Sequence, residues 1–464
     1  MERISIEEII RAVDGTLIRK CDENYITGVR HDSRECGAGD MFVAVIGENQ
    51  DGHRYIPQVL EKGCRTVLVS HEDGWRDSAE GRDANIIKVD DTVYAMGQLA
   101  AYYLDTLDVL KIAVTGSVGK TSTRDMIYYA LSGKYRCGRN LKNFNNAIGL
   151  PISVFTFDRS MDAVVLEMGM DSFGEIDRLG EIVKPNIAVI TNIGVSHMEN
   201  LGSREGIFRA KMEITGHITG SGKAEATLVF PLDEEFLTKE RTQGEYTQVT
   251  IGENGKSDYI ISDIDDFGIE GIQFTLEHEE KTERIRIGVP GRHNAVNASL
   301  AIAVAGLAGL SVKEAAAGLE KVELTGRRLK ICEGRGMRII DDTYNASPDS
   351  MKSALKVLEQ SPCSGSRTAV LGDMYELGED SDRQHAAVGM FARSLGIDRV
   401  IAVGKNARHI AEGAGGGDVQ VLYFEEKEDL YDKISQLTGA GDIILVKGSR
   451  GMEMEKLVEK LIKD

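Results

Sequence analysis

Between Lys111 and Leu131 the chain reads KIAVTGSVGKTSTRDMIYYAL. The opening residues are apolar on both alternating faces, as a strand buried inside a parallel sheet requires. Two glycines then make a tight turn, and Met126, Ile127, Ala130 and Leu131 recur at helical spacing on one face. This order commits the surrounding chain to an α/β layer structure, because parallel strands need crossover connections. It also builds an anion site. Gly116 and Gly119 let backbone N–H groups converge on phosphate oxygens, and the positive end of a helix starting near Lys120 faces the same point. Lys120 would reach the outer phosphates, and Thr121 would offer its hydroxyl to Mg2+. Thr115, Gly116, Ser117, Val118, Gly119, Lys120 and Thr121 are therefore expected to bind nucleotide. The common pattern G-x-x-x-x-G-K-[ST] is nevertheless broken, because Val114 stands where its first glycine belongs. A glycine turn that merely packs is the alternative.

A chain of 464 residues is too long for one core, and three α/β regions are expected. The first, residues 1–85, combines the helical SIEEIIRAVDG with the strand-like pieces DMFVAVIG, YIPQVLEKG and CRTVLVS, followed by a polar loop from His71 to Asn85. The second, residues 86–322, alternates helices with the apolar runs KIAVTG, AVVLEMG and NIAVITNIG, which suit central parallel strands. From about Ala224 to Pro290 the period falls to two. Ile272, Phe274, Leu276, Ile285, Ile287 and Val289 alternate with polar residues, predicting an added antiparallel sheet with one wet face. The helical NAVNASLAIAVAGLAGL closes this region. The third, residues 323–464, alternates again from MRIID to MEKLVEKLI and predicts a Rossmann-like, doubly wound unit whose ligands sit at strand C-terminal ends.

Bulk charge narrows the partners. With 55 basic and 74 acidic residues the net charge is −19, which disfavours nucleic acid and anionic membranes. The most apolar run, Ala298–Leu310, suits a packed helix better than a membrane span. The N-terminal MERISIEEII lacks the apolar core of a signal peptide. Six scattered cysteines without a C-x-x-C pair argue for reduced thiols and a cytoplasmic location. A monomer is expected.

A wider set of motifs carries a resemblance. TGSVGKTS is followed by NFNNAIGLP, LEMGM, TNIGVSHMENLGS, AKMEI, GRHNAVNASLAIA, GRRLK, DDTYNASPDSMKSAL, LGDMYELG and LVKGSRGMEME. In order and spacing these resemble the Mur ligases, ATP-dependent amide-forming enzymes of peptidoglycan precursor synthesis, over essentially the whole chain. The short loop T-G-x-x-G-K-T of that family also accounts for Val114. DDTYNASPDSM resembles the members that add D-alanyl-D-alanine to UDP-N-acetylmuramoyl-tripeptide. The D-Y-A-H-x-P segment of members adding diaminopimelate or lysine is absent.

The resemblance implies roles that the residues alone leave open. Ser33, Arg34, Gly52 and His53 would lie near the UDP-sugar, in a small N-terminal substrate domain. Asn145 and Asn146, read unaided as turn caps or site residues alike, would serve the UDP-substrate side of the phosphoryl-transfer site. Glu167 and His197, each after an apolar strand, would bind two Mg2+ ions with Thr121. Lys211 in AKMEI would do so as a carbamate, since its ammonium would repel a cation. His293, Asn294 and Asn297 would face the adenine, and Arg327 would reach back to the nucleotide. Asp342, Tyr344 and Asn345 would serve ATP and the incoming amine, and Lys447, Ser449 and Arg450 the dipeptide. Lys120, Lys211, His197 and Asp342 would then form the catalytic set. His385 carries weaker support, because its helix could simply expose it.

Two rival readings remain at this level. One is a related ligase adding a single amino acid to a UDP-muramoyl peptide, or glutamate to a folate. The other is a nucleotide-dependent switch without ligation chemistry.

Overall fold

The computed structural model describes residues 1–77, 81–141, 143–195 and 198–463, and among these the strands form four sheets. The N-terminal unit runs β1 (Ile4–Ser5), α1 (Ile6–Val13), β2 (Thr16–Arg19), β3 (Tyr25–Ile26), β4 (Gly28–Arg30), β5 (Asp40–Val43), α2 (Ile56–Glu61), β6 (Thr66–Val69) and β7 (Asn85–Lys88). A reciprocal cap between Ser5 and Glu8 starts α1, whose Ile6, Ile9 and Val13 are buried. The sheet order is β2-β7-β6-β5-β4, parallel except for the β2–β7 pair, while β1 and β3 form a small antiparallel ribbon.

Two expectations change here. YIPQVLEKG is not a strand: Pro57 lies in the first turn of α2, and Ile56 and Val59, three apart, face the core. A boundary after residue 85 also falls too early. Asn85 opens β7, which pairs along β6 to Lys88, so the sheet ends beyond it. Near the start of that stretch Trp75 is buried, with its indole N–H donated to the His71 carbonyl at 2.9 Å.

The central region runs α3 (Thr92–Asp105), β8 (Leu110–Thr115), α4 (Lys120–Leu131), β9 (Cys137–Arg139), α5 (Gly149–Val154), β10 (Ala163–Glu167), α6 (Glu175–Val183), β11 (Ile187–Ile190), α7 (Met198–Leu201), α8 (Arg204–Met212) and β12 (Thr227–Pro231). It continues through β13 (Thr247–Gly252), β14 (Tyr259–Asp266), β15 (Ile272–His278), β16 (Lys281–Ile287), α9 (Asn294–Leu307) and α10 (Val312–Leu319). One nine-stranded sheet holds all its strands in the order β16-β15-β14-β13-β12-β11-β8-β10-β9. Pairing is parallel from β9 to β14 and antiparallel across β14, β15 and β16. Within the period-two segment only β14 to β16 pair antiparallel, at the end of this same sheet rather than in a separate one, while β12 and β13 pair in parallel. Its inward residues Ile272, Phe274, Leu276, Ile285 and Ile287 are buried, as the alternation requires. The alanine-rich α9 is buried nearly all round because it packs on both α4 and the sheet.

The C-terminal region runs β17 (Lys330–Gly334), β18 (Met337–Asp342), α11 (Pro348–Gln360), β19 (Arg367–Gly372), α12 (Ser381–Ser394), β20 (Arg399–Val403), α13 (Arg408–Ala414), β21 (Gln420–Phe424), α14 (Lys427–Tyr431), α15 (Ile434–Leu437), β22 (Ile443–Lys447) and α16 (Glu455–Lys463). Its sheet order is β17-β18-β22-β19-β20-β21, parallel except for the β17–β18 hairpin, with helices on both faces. The strand β17, at Lys330–Gly334, was not distinguished by its apolar pattern, since it is a half-exposed edge. In this sheet, as in the central one, the C-terminal ends of the parallel strands open onto a shared cleft.

Candidate active site

The cleft, of about 990 Å³, lies between the central and C-terminal regions. The strand β8 ends at Thr115, and α4 begins at Lys120 after Gly119, whose φ of +85° is a left-handed conformation suited to glycine. Ser117, Val118, Gly119, Lys120 and Thr121 line the cleft, whereas Thr115 and Gly116 lie beneath it, with Thr115 fully buried. The loop is braced from β11: Asn192 Nδ2 and Thr191 Oγ1 donate to the Val118 carbonyl at 2.8 and 2.6 Å, and the Val118 N–H returns to Asn192 Oδ1 at 3.0 Å. The Lys120 ammonium donates to the Gly116 and Ser117 carbonyls at 2.7 and 3.2 Å. Burial within the cleft lowers its pKa, as does the nearby Arg328.

Glu167, the last residue of β10, is 2% exposed. Its Oε2 accepts from the Thr121 hydroxyl at 2.7 Å and from Arg124 at 3.4 Å, and its Oε1 accepts from Asn145 at 2.8 Å. Burial opposes its ionisation, but Arg124, Arg328, Lys120 and Thr121 together hold it below the ordinary glutamate range. An ionised carboxylate beside a hydroxyl at a phosphate loop is a donor set suited to a hard cation such as Mg2+. Asn145 therefore belongs to this carboxylate, while Asn146 also lines the cleft and its Oδ1 accepts the Gly149 N–H at 2.8 Å.

Lys211 sits on α8, 1% exposed. No ion pair or hydrogen bond to its ammonium occurs among the described residues. Burial, and then the charge of Lys120, push its pKa well below the ordinary lysine value. The neutral amine favoured there is the form that reacts with carbon dioxide. His197 lies outside the described residues.

On the α9 side, Asn294 and Asn297 both line the cleft and form a chain: Asn297 Nδ2 donates to Asn294 Oδ1 at 2.8 Å, and Thr123 donates to Asn297 Oδ1 at 3.2 Å. His293 lies beside them. It lines the cleft and keeps exposed surface, yet desolvation among the surrounding groups pushes its pKa down to about 4.

From the C-terminal region come Asp342, Tyr344, Asn345, Lys447, Ser449 and Arg450, all lining the cleft. Asp342 and Lys447 pair at 2.6 Å. Lys447 also donates to the Asn345 carbonyl at 2.8 Å, and Asp342 accepts the Leu329 N–H at 3.1 Å. Ser449 Oγ accepts the Tyr375 N–H at 2.9 Å, and Arg450 pairs with Glu455 at 3.3 Å.

Arg327 does not line the cleft; it pairs with Asp341 and Glu459, both at 2.9 Å, on the C-terminal unit. The next residue, Arg328, lines the cleft instead, its guanidinium 3.8 Å from the Tyr344 ring centroid. The adjacent arginines thus reach different partners, Arg327 to Asp341 and Glu459 and Arg328 to Tyr344. His385 is fully buried rather than exposed, with Nε2 accepting from Met374 N–H at 2.9 Å and Nδ1 donating to the Ser381 carbonyl at 2.7 Å.

Ser33, Arg34, Gly52 and His53 stand apart from the cleft on the N-terminal unit. Ser33 is buried and its carbonyl accepts from Lys62 at 2.8 Å, while the exposed Arg34 pairs with Asp32 at 2.6 Å. Gly52 lies so close to the Val45 backbone that a Cβ would meet it at 2.7 Å. Both ring nitrogens of His53 have protein partners: Nδ1 is 2.6 Å from Asp51, and Nε2 accepts the Ser70 N–H at 2.9 Å.

Sequence reasoning passed over Thr191, Asn192 and Arg328, which line the cleft, and Arg124, which lies fully buried behind Glu167. A Thr-Asn pair ending the strand next to β8 was a usable signal; for the arginines there was none.

Three family descriptions match the chain: "Mur ligase family, catalytic domain" over residues 25–104, "Mur ligase middle domain" over 114–305, and "Mur ligase, glutamate ligase domain" over 327–450. A Bacillus subtilis (strain 168) protein named UDP-N-acetylmuramoyl-tripeptide--D-alanyl-D-alanine ligase is 39% identical over 470 residues, covering 100% of this chain and 99% of the relative. A crystal structure of MurF from Acinetobacter baumannii superposes with a TM-score of 0.90 at 30% identity, covering 100% of both chains. The MurF ligase of Thermotoga maritima in complex with ADP gives 0.81 at 27% identity, over 94% of this chain and 96% of that one.

Proposed function

The chain belongs to the Mur ligase family, and we propose that it joins D-alanyl-D-alanine to UDP-N-acetylmuramoyl-tripeptide at the expense of ATP. The products are the UDP-muramoyl-pentapeptide precursor of peptidoglycan, ADP and phosphate. The observation that carries this reading is full-length similarity to D-alanyl-D-alanine ligases, joined to a cleft in which a phosphate loop faces cationic and polar groups of a second domain.

A carboxylate cannot be attacked directly by an amine, because oxide is too poor a leaving group. Transfer of the γ-phosphoryl to the tripeptide carboxylate gives an acyl phosphate, and the dipeptide amine then expels phosphate from it. Both steps build up negative charge on oxygen, which fixed cations and N–H donors stabilise. The loop of residues 116–121 holds the nucleotide phosphates, with Lys120 leaving the loop carbonyls to meet them. Thr121 and Glu167 would hold Mg2+, which supplies charge neutralisation at the phosphates; a carbamate on Lys211 would supply further anionic oxygen for a second ion. Asn294 and Asn297 fix the start of α9 against α4 and offer polar edges to the base. Arg328, stacked on Tyr344, adds charge over the cleft in the role expected of Arg327. Lys447, held by Asp342, with Ser449 and Arg450, offers the carboxylate-binding side to the dipeptide. The paired Asp342 thus positions Lys447 rather than acting as a free base. Ser33, Arg34 and the backbone at Gly52 offer the UDP-sugar surface, with His53 bracing it.

The reaction is assigned to the cytoplasm and to a monomer. All six cysteines are free thiols, which suits a reducing compartment. The test is phosphate release over a matrix of UDP-muramoyl peptides against amino acids and dipeptides. Release requiring both UDP-muramoyl-tripeptide and D-Ala-D-Ala supports the reading; turnover with a single amino acid and none with the dipeptide overturns it.

A further inference from the structure

Directly after the phosphate-loop residues, α4 carries a buried charged pair that the reaction scheme above does not use. Arg124 and Asp125 are both 0% exposed. Asp125 Oδ1 accepts from Arg124 Nε at 3.0 Å, from Arg124 Nη2 at 2.7 Å and from Arg139 Nη1 at 2.8 Å. Its other oxygen, Oδ2, accepts the backbone N–H of Thr325 at 2.6 Å, 200 residues away. Thr325 lies in the connection between α10 and β17, the segment that joins the central region to the C-terminal one.

Arg124 meanwhile extends its remaining arm to Glu167 Oε2 at 3.4 Å, the oxygen that also accepts from Thr121. Three residues beyond Thr325, Arg328 returns to the cleft, donates to the Thr325 carbonyl at 3.4 Å and lies over Tyr344. A continuous polar path therefore runs from the phosphate site through Glu167, Arg124 and Asp125 into the linker, and back to the cleft through Arg328.

Burying charge in this way is costly compared with packing apolar side chains, so the network is better explained by what it orients than by stability. We propose that Asp125 is a positioning residue for the ligation reaction: it ties the setting of the interdomain linker to the phosphate site, so that nucleotide occupancy at Thr121 and Glu167 orders the linker and places Arg328. This rests on the ATP-dependent ligase reading and adds to it a residue that touches no substrate. The split use of the carboxylate supports the assignment. One oxygen is held by the phosphate-loop side, and the other by a single linker amide, so a shift in Arg124 is passed to Thr325 without an intervening flexible group.

The test is hydrogen exchange of residues 323–329 in the full-length protein, with and without Mg-ADP, in the parent and in Asp125→Asn. The asparagine cannot satisfy both the guanidinium groups and the Thr325 N–H with acceptors. In the parent, Mg-ADP is expected to slow linker exchange by about tenfold or more. Asp125→Asn is expected to bind Mg-ADP within about threefold of the parent, to show no nucleotide-dependent slowing, and to lose roughly 10- to 100-fold in kcat with KM for ATP little changed.

Linker exchange in the parent that ignores Mg-ADP overturns the proposal. So does an Asp125→Asn protein that keeps both the nucleotide response and kcat, or one that loses Mg-ADP binding outright, which would confine Asp125 to the phosphate site. Should Asp125→Asn fail to fold, Thr325→Pro removes the same hydrogen bond from the half-buried linker side, and normal kcat in that variant is equally fatal. Because the exchange measurement uses Mg-ADP alone, it stands apart from the substrate matrix: an inactive parent would sink the ligase reading, whereas an active parent with an unresponsive linker would sink only this one.

Discussion

The Thr121 hydroxyl donates to Glu167 Oε2 at 2.7 Å, joining the first turn of α4 to the C-terminal end of β10. Two residues that are 46 positions apart thereby present one oxygen-rich face to the phosphate loop. Glu167→Gln keeps the size and removes the charge. It is expected to lower kcat by roughly 10²- to 10³-fold and to raise the Mg2+ concentration needed for half-maximal rate. Steady-state assays across a Mg2+ titration check this; a rate and Mg2+ requirement like the parent's would remove Glu167 from the site.

Lys211 should show itself in stability as well as rate. Its folded pKa lies well below 10.5, so between the two values the unfolded chain binds more protons and stability rises with pH. Lys211→Met removes that burial cost. In CO2-free buffer the variant is expected to be inactive yet more stable at pH 7, by about 1 kcal/mol or more, with the gap closing as pH approaches 10.5. Thermal melts from pH 6 to 10 measure the gap. If Lys211 acts as its carbamate, added bicarbonate raises the parent's activity after CO2 removal and does nothing for the variant.

The adjacent arginines are expected to separate cleanly. Arg328→Gln removes cleft charge and the stack on Tyr344, and should cost roughly 10- to 100-fold in kcat/KM for ATP with little change in Tm. Arg327→Gln strips a partner from the buried Asp341 and should instead lower stability with kcat near that of the parent. Kinetics and melting curves of the two variants, run side by side, decide between the structural assignment and the sequence-based one.

Lys447 and Asp342 are 3% and 11% exposed at their side chains, so neither tolerates loss of the other. Lys447→Met should destabilise the protein by about 3 kcal/mol through an unpaired buried carboxylate. Lys447→Met with Asp342→Asn should recover much of that stability without recovering the affinity for D-Ala-D-Ala. Denaturant unfolding with dipeptide KM values separates the two effects.

Long-range order was legible where chemistry imposes a local pattern. The strand, glycine turn and helix from Lys111 to Leu131 required only apolar periodicity and Gly119. The continuity of the nine-stranded sheet was not legible, because strand pairing between β13 and β14 leaves no mark in either segment. YIPQVLEKG misled because two apolar residues three apart in a six-residue helix give too little periodicity to distinguish it from a strand. Side-chain direction was the other limit. GRRLK gives no local reason for Arg328 rather than Arg327 to enter the cleft; that follows from partners elsewhere in the chain, Tyr344 for Arg328 and Asp341 with Glu459 for Arg327. His53 and His385 illustrate the same point, since both are closed off by backbone partners that lie elsewhere in the chain.

The central claim is that the γ-phosphate passes to a peptide carboxylate rather than to water. UDP-muramoyl-tripeptide carrying 18O in its terminal carboxylate tests it most directly, by mass analysis of the phosphate released during ligation to D-Ala-D-Ala. The account predicts one 18O in each phosphate for every amide formed, because the bridging oxygen of the acyl phosphate leaves with phosphorus. Phosphate without label, released alongside the pentapeptide, would contradict it.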